Sequence, residues 1–139
     1  MSLKLSLLAG AVLVLAAVSA SAAPNERPVL TTVTAVRAAN YGAPSRLVEQ
    51  RAEVDLIVEE LSQLRKKPWR RGDTKMRCYA TVVLLDGDRP LATFRVRPDL
   101  IVERPFEKGA SSYSLKIADT DLPALTKLLA EIPIVKKCD

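Results

Sequence analysis

Around Pro68 the hydrophobic rhythm of this chain changes from about 3.6 residues to about two, and that switch constrains the fold more than any other feature. Before it, Val54, Ile57, Val58, Leu61 and Leu64 recur on one helix face. Glu53, Asp55, Glu59 and Glu60 lie toward the front of this segment and Arg65, Lys66 and Lys67 at its end, an order that complements a helix dipole. Pro68 has no N–H to donate and disfavours helical geometry at Lys67, so the helix stops there. Two starts fit the pattern. Ser45 caps the helix, or residues 46–50 form an extended lead-in and the helix begins near Arg51.

From Lys75 onward Met76, Cys78, Ala80, Val82 and Leu84 alternate with Arg77, Tyr79, Thr81, Val83 and Leu85, the pattern of a half-buried strand. Residues 86–90 (DGDRP) read as a turn. The register that keeps the apolar sets on one face sets Val82 opposite Phe94 and Leu85 opposite Leu91. Tyr79 then faces Arg97, and Thr81 faces Arg95. Pro98 either ends this second strand or kinks a longer one. The alternation passes through it without slipping, and the need for Cys138 to reach Cys78 favours one strand over residues 91–104.

Val29–Arg37 is rich in β-branched residues and reads as a first strand, with a loop over residues 40–44. Tyr113, Leu115 and Ile117 predict a further strand. A helix follows from about Asp121 to Ile132, with Thr120 as its cap and Pro123 in its first turn. The expected fold is α+β: a two-layer domain in the order β-α-β-β-β-α. Its antiparallel sheet of about four strands carries both helices on one face.

Residues 1–22 have the layout of a secretory signal peptide: Lys4, an apolar run from Leu5 to Val18, then the small residues Ala20-Ser21-Ala22. Cleavage leaves residues 23–139 as a single exported domain, periplasmic or secreted, with no transmembrane span after the leader. In an oxidising compartment the only two cysteines, Cys78 and Cys138, read as one disulfide.

The chain has no histidine, which removes Ser-His-Asp and Cys-His catalysis, the usual zinc sites and the commonest general base. Ser111, Ser112 and Ser114 have no activating group placed by sequence beyond Lys116. The acid pairs Asp86/Asp88 and Asp119/Asp121 read as a turn and a helix start rather than as calcium ligands. The expectation is a non-enzyme with no metal and no cofactor.

Two surfaces remain as binding candidates. Residues 65–78 (RKKPWRRGDTKMRC) hold seven cations around the only tryptophan. Helix-end cations account for Arg65 to Lys67, but no fold rule requires Arg70, Arg71, Lys75 or Arg77. Trp69 either packs back against the core or serves as an interaction anchor. The second surface is the sheet face opposite the helices, where Arg77, Tyr79 and Thr81 lie beside Arg95 and Arg97, with Ser112, Ser114 and Lys116 further across. The expected binding residues are Trp69, Arg70, Arg71, Arg77, Tyr79, Arg95 and Arg97.

Residues 65–104 carry eleven basic and five acidic side chains, so the partner expected is an acidic protein surface. The alternative is an anionic polymer or lipid of the envelope, and export excludes nucleic acid as the natural ligand. The layout resembles that of small exported α+β modules, many of which are inhibitors, immunity-type proteins or accessory binding domains. That resemblance implies a protein-binding role.

Overall fold

The computed structural model describes residues 27–118, 120–134 and 138, so the leader expected over residues 1–22 and its cleavage point lie outside the described residues. The β-branched run that predicts a strand from Val29 begins instead as a turn. The Val33 N–H donates to the Leu30 carbonyl at 3.3 Å, and both side chains enter the core. Pairing starts only at β1 (Ala35–Ala39). A turn then leads into β2 (Arg46–Val48), which is the extended lead-in, and α1 (Arg51–Leu64) follows it. Val54, Ile57, Leu61 and Leu64 are the buried stripe of α1, on the expected face.

The remaining elements are β3 (Arg70–Arg71), β4 (Ala80–Asp86), β5 (Arg89–Arg97), β6 (Leu100–Pro105), β7 (Tyr113–Lys116) and α2 (Pro123–Glu131). The fold is α+β, with two helices and one antiparallel sheet among the described residues, in the order β2-β1-β4-β5-β6-β7-β3. Seven strands stand where four were expected. Two of the additional ones, β2 and β3, are short edge strands, and an edge of two or three residues offers little template for a foreign strand.

The third additional strand comes from Pro98. Arg97 pairs with Leu100, so Pro98 and Asp99 form a two-residue turn between β5 and β6 rather than a kink in one long strand. A two-residue turn advances the face by one position. Val96 therefore shares a face with Ile101, and Phe94 with Glu103. The alternation misled because both faces of β6 are covered: Ile101, Val102 and Glu103 are all fully enclosed. In the β4–β5 hairpin Val82 meets Phe94 and Thr81 meets Arg95, as expected. Leu85 meets Pro90 instead of Leu91, because the register shifts after Leu84.

Strand β4 begins at Ala80, not near Lys75. The chain leaves β3 at one edge of the sheet and must reach β4 near its middle. Residues 72–79 make that journey over the face opposite the helices. The Gly72 N–H donates to the Ser112 carbonyl at 2.7 Å, the Thr74 hydroxyl to Ser114 Oγ at 3.2 Å, and Arg97 Nη1 to the Arg77 carbonyl. Cys78 ends the crossover in a left-handed conformation, φ 57°, which interrupts any extended strand through it.

Both helices join one core with a single sheet face, including Val36, Val82, Phe94 and Ile101. Helix α2 does not run along the strands. It starts near Ala118, whose N–H donates to Asp121, and ends at Asn40, whose side-chain amide donates to the carbonyls of Leu129 and Ile132, both at 2.9 Å. It therefore crosses the end of the sheet from the β7 side to the β1 side. This is why Cys138 reaches Cys78 despite the reversal at Pro98; the sequence argument assumed a helix parallel to the strands. The cap also differs from expectation. Thr120 is not used, and the Glu60 carboxylate from α1 accepts the Ala124 and Leu125 N–H groups at 2.6 and 3.1 Å.

The Cys78–Cys138 disulfide closes a loop with a sequence separation of 60. Replacing both cysteines by serine is expected to lower stability by about 4 kcal/mol on the chain-entropy argument. Urea unfolding of the oxidised protein and the double variant checks this through the shift in midpoint.

Candidate functional site

The sheet surface away from the helices is basic. Register places Arg37 beside Val83, Thr81 beside Arg95, and Thr93 beside Arg104, all on this face. Arg37 and Arg95 stand two strands apart and two residues out of line, about 12 Å, and neither forms an ion pair with an acid among the described residues. The Arg95 guanidinium lies over the Tyr79 ring, 4.9 Å from its centroid. Stacking of this kind holds a cation in place without neutralising it. Arg97 is more committed: Nη1 serves the Arg77 carbonyl, and Nε lies 3.7 Å from Asp99. Arg104 lies 3.7 Å from Asp73.

The structure brings Arg77, Tyr79, Arg95 and Arg97 together, but through the crossover rather than through β4: strand pairing begins at Ala80, and Tyr79 stacks on Arg95 instead of facing Arg97 in a ladder. It adds Arg37, whose strand could not be aligned against β4 from pattern alone. The face is less open than expected, because the crossover over residues 72–79 covers its β6–β7 end and leaves Ser114 and Val102 buried. Arg70 and Arg71 lie apart from this group, exposed on the short edge strand β3 rather than in a loop. Arg71 Nε donates to Ser111 Oγ at 3.0 Å.

Trp69 packs against the core, half-buried, and its Nε1 donates to the Leu64 carbonyl at 2.7 Å, satisfying an orphan at the end of α1. Its ring also forms one wall of a buried charge cluster. Glu103 is fully buried and takes a two-pronged ion pair from Arg65 Nε and Nη2. Arg27 Nε lies 3.5 Å from the same carboxylate. The Arg27 guanidinium is sandwiched 4.3 Å from the Trp69 centroid and 4.2 Å from that of Tyr113. Its Nε and Nη2 find no hydrogen-bond partner, so charge and ring stacking hold it. Burial pushes the Arg27 guanidinium below its ordinary pKa; Glu103 opposes that shift, and Arg65 adds to it.

No protein-family model matches this chain, and neither curated proteins nor solved structures yield a significant match. The site must therefore be read from its own chemistry. Among the described residues no three of His, Cys, Asp or Glu stand together as a metal-holding group. Asp86 pairs with Arg89 at 3.4 Å, and Asp121 accepts the Ala118 N–H at 2.8 Å, so both act in turns. Asp119 lies outside the described residues.

Glu103 and Arg27 were not among the expected site residues: an unbroken alternation through Pro98 sets Glu103 on the face opposite Phe94, and no local pattern marks Arg27. The signal for Glu103 was Pro98-Asp99, a turn dipeptide whose reversal changes the facing of everything after it.

Glu103→Gln is expected to lower stability by about 3 kcal/mol, since it leaves two partly buried cations facing a fully buried neutral amide. Trp69→Ala is expected to lower it by about 3 kcal/mol through lost packing. Chemical denaturation checks both; an unshifted midpoint for Trp69→Ala would place the ring outside the packed structure.

Proposed function

We propose that the protein is a non-enzymatic binding module, exported by its leader, that holds an acidic surface of a protein partner on the arginine-bearing face of its sheet. The observation that carries this reading is the pair Arg37 and Arg95, displayed two strands apart on a rigid sheet with no acidic partner among the described residues. Cations on a sheet hold their spacing without an ordering cost on binding, which favours recognition of a matching pattern of carboxylates. Tyr79 beneath Arg95 supplies the aromatic contact area typical of energetic centres in interfaces. The disulfide supports export, as does the leader pattern. No helix among the described residues is long and apolar enough to cross a membrane.

The alternative partner, an anionic polymer or lipid surface, draws on the same cations. It loses its expected anchor, because the Trp69 ring is committed to the core, to Leu64 and to Arg27.

The Arg37→Glu/Arg95→Glu double variant tests the proposal. Mature protein immobilised as bait is expected to retain one or two discrete proteins from the source organism's envelope extract at high salt. The double variant, with an unchanged unfolding midpoint, is expected to lose them by at least about tenfold, the scale of one close charge pair. Retention of polymer or lipid that is shed as salt rises would replace the protein partner with the anionic-surface alternative.

A further inference from the structure

Helix α2 crosses the end of the sheet instead of packing flat on it, and this leaves a cavity of about 570 Å³ between the helix and the strand ends. That volume lies within the range of small-molecule sites. Its walls are apolar: Val96 from the sheet, Ile117 after β7, and Leu122 and Leu129 along the helix. The helix end, the β7 side and the rim are each anchored. Asn40 clamps the helix end, the Ile117 N–H donates to the Asp99 carbonyl at 3.1 Å, and the disulfide spans the rim. An apolar concavity held open by hydrogen bonds and a covalent link cannot collapse to remove its own surface from water.

Among the described residues that line the cavity, Arg97 is the charged one. Its Nη1 is on the Arg77 carbonyl and its Nε 3.7 Å from Asp99, beyond hydrogen-bonding distance. Its Nη2 has no described partner. Asp99 is largely in solvent, its side chain 81% exposed, so it neutralises Arg97 only weakly. The Asn40 amide donors are spent on helix carbonyls.

From this asymmetry we propose that the cavity is a binding site for a small free amphiphilic carboxylic acid, its apolar body between α2 and the strand ends and its carboxylate on Arg97. An apolar body fits the lining, and a carboxylate at the mouth gains a charge-assisted hydrogen bond from Nη2. A cationic head would meet Arg97 and be repelled. The inference does not depend on the partner-binding face, although Arg97 and Tyr79 lie beside both.

The test uses dodecanoate and dodecyltrimethylammonium below their micelle concentrations and dodecanol below its solubility limit as probes, with the mature oxidised protein and isothermal calorimetry. Dodecanoate is expected to bind one to one, and dodecanol at least about tenfold more weakly. The ammonium probe is expected to bind less well still. Arg97→Gln is expected to bring dodecanoate down to the affinity of dodecanol while leaving dodecanol unchanged. Thr126→Trp fills the cavity from an exposed helix position and is expected to abolish binding of all probes without loss of fold by circular dichroism. The Arg37→Glu/Arg95→Glu variant is expected to bind dodecanoate as the wild type does, so failure of the partner-binding reading and failure of this one are separable. Equal affinity for all three heads would overturn the proposal. So would the absence of saturable binding, or binding to anionic phospholipid vesicles without binding of the free acid.

Discussion

Glu103 is fully enclosed on the helix side of the sheet, where an ionised carboxylate without partners would cost several kcal/mol. Its partners come from far apart in the chain: Arg65 just past α1, and Arg27 ahead of β1. Two partly buried cations against one buried anion leave an excess of positive charge, and the faces of Trp69 and Tyr113 take it up around Arg27. The position of Trp69 then follows. Pro68 ends the helix, the chain turns back so that the indole reaches the Leu64 carbonyl, and β3 begins at the next residue. Part of the basic run around Trp69 is thereby accounted for by the fold itself, since Arg65 is an interior ion-pair partner rather than a solvated helix end.

The route out of β3 decides what the opposite face can offer. A chain that must travel from the sheet edge to its middle crosses one face or the other, and the helices already occupy one. The crossover over residues 72–79 therefore lies on the remaining face and buries Val102 and Ser114. It leaves Arg37 on β1 and Arg95 on β5 accessible, with Arg97 at the rim. It also brings Tyr79 under Arg95 and the Arg77 carbonyl to Arg97. The left-handed turn at Cys78 delivers the disulfide to the end of the sheet, where it meets the segment that follows α2 and borders the cavity. The arginine-bearing face and the cavity are two consequences of one connection.

Much of the fold was legible in the sequence where local signals agree. The stripe from Val54 to Leu64 was read from period, the stop at Pro68 from backbone chemistry, and the pairing of Val82 with Phe94 from alternation around a turn. The same register set Thr81 opposite Arg95, whereas Arg77 and Tyr79 reach Arg97 and Arg95 through the crossover. The pattern failed at β6, where apolar residues occupy both faces, and a two-residue reversal reads the same as a continuous strand. It failed again at Arg27 and Glu103, because a charged residue in an alternating strand gives no local sign that its counterion arrives from another segment.

The sequence by itself determined that this chain forms an amphipathic helix followed by antiparallel strands, and which two cysteines can join. These properties follow from period, proline geometry and count, all of which act over a few residues or need no coordinates at all. Only the tertiary structure decided that Glu103 faces inward, that Arg37 stands near Arg95, and that α2 crosses the end of the sheet to leave a cavity. Each of these depends on closing long loops and neutralising buried charge across segments tens of residues apart, and the free energy that selects them exists only once those segments meet.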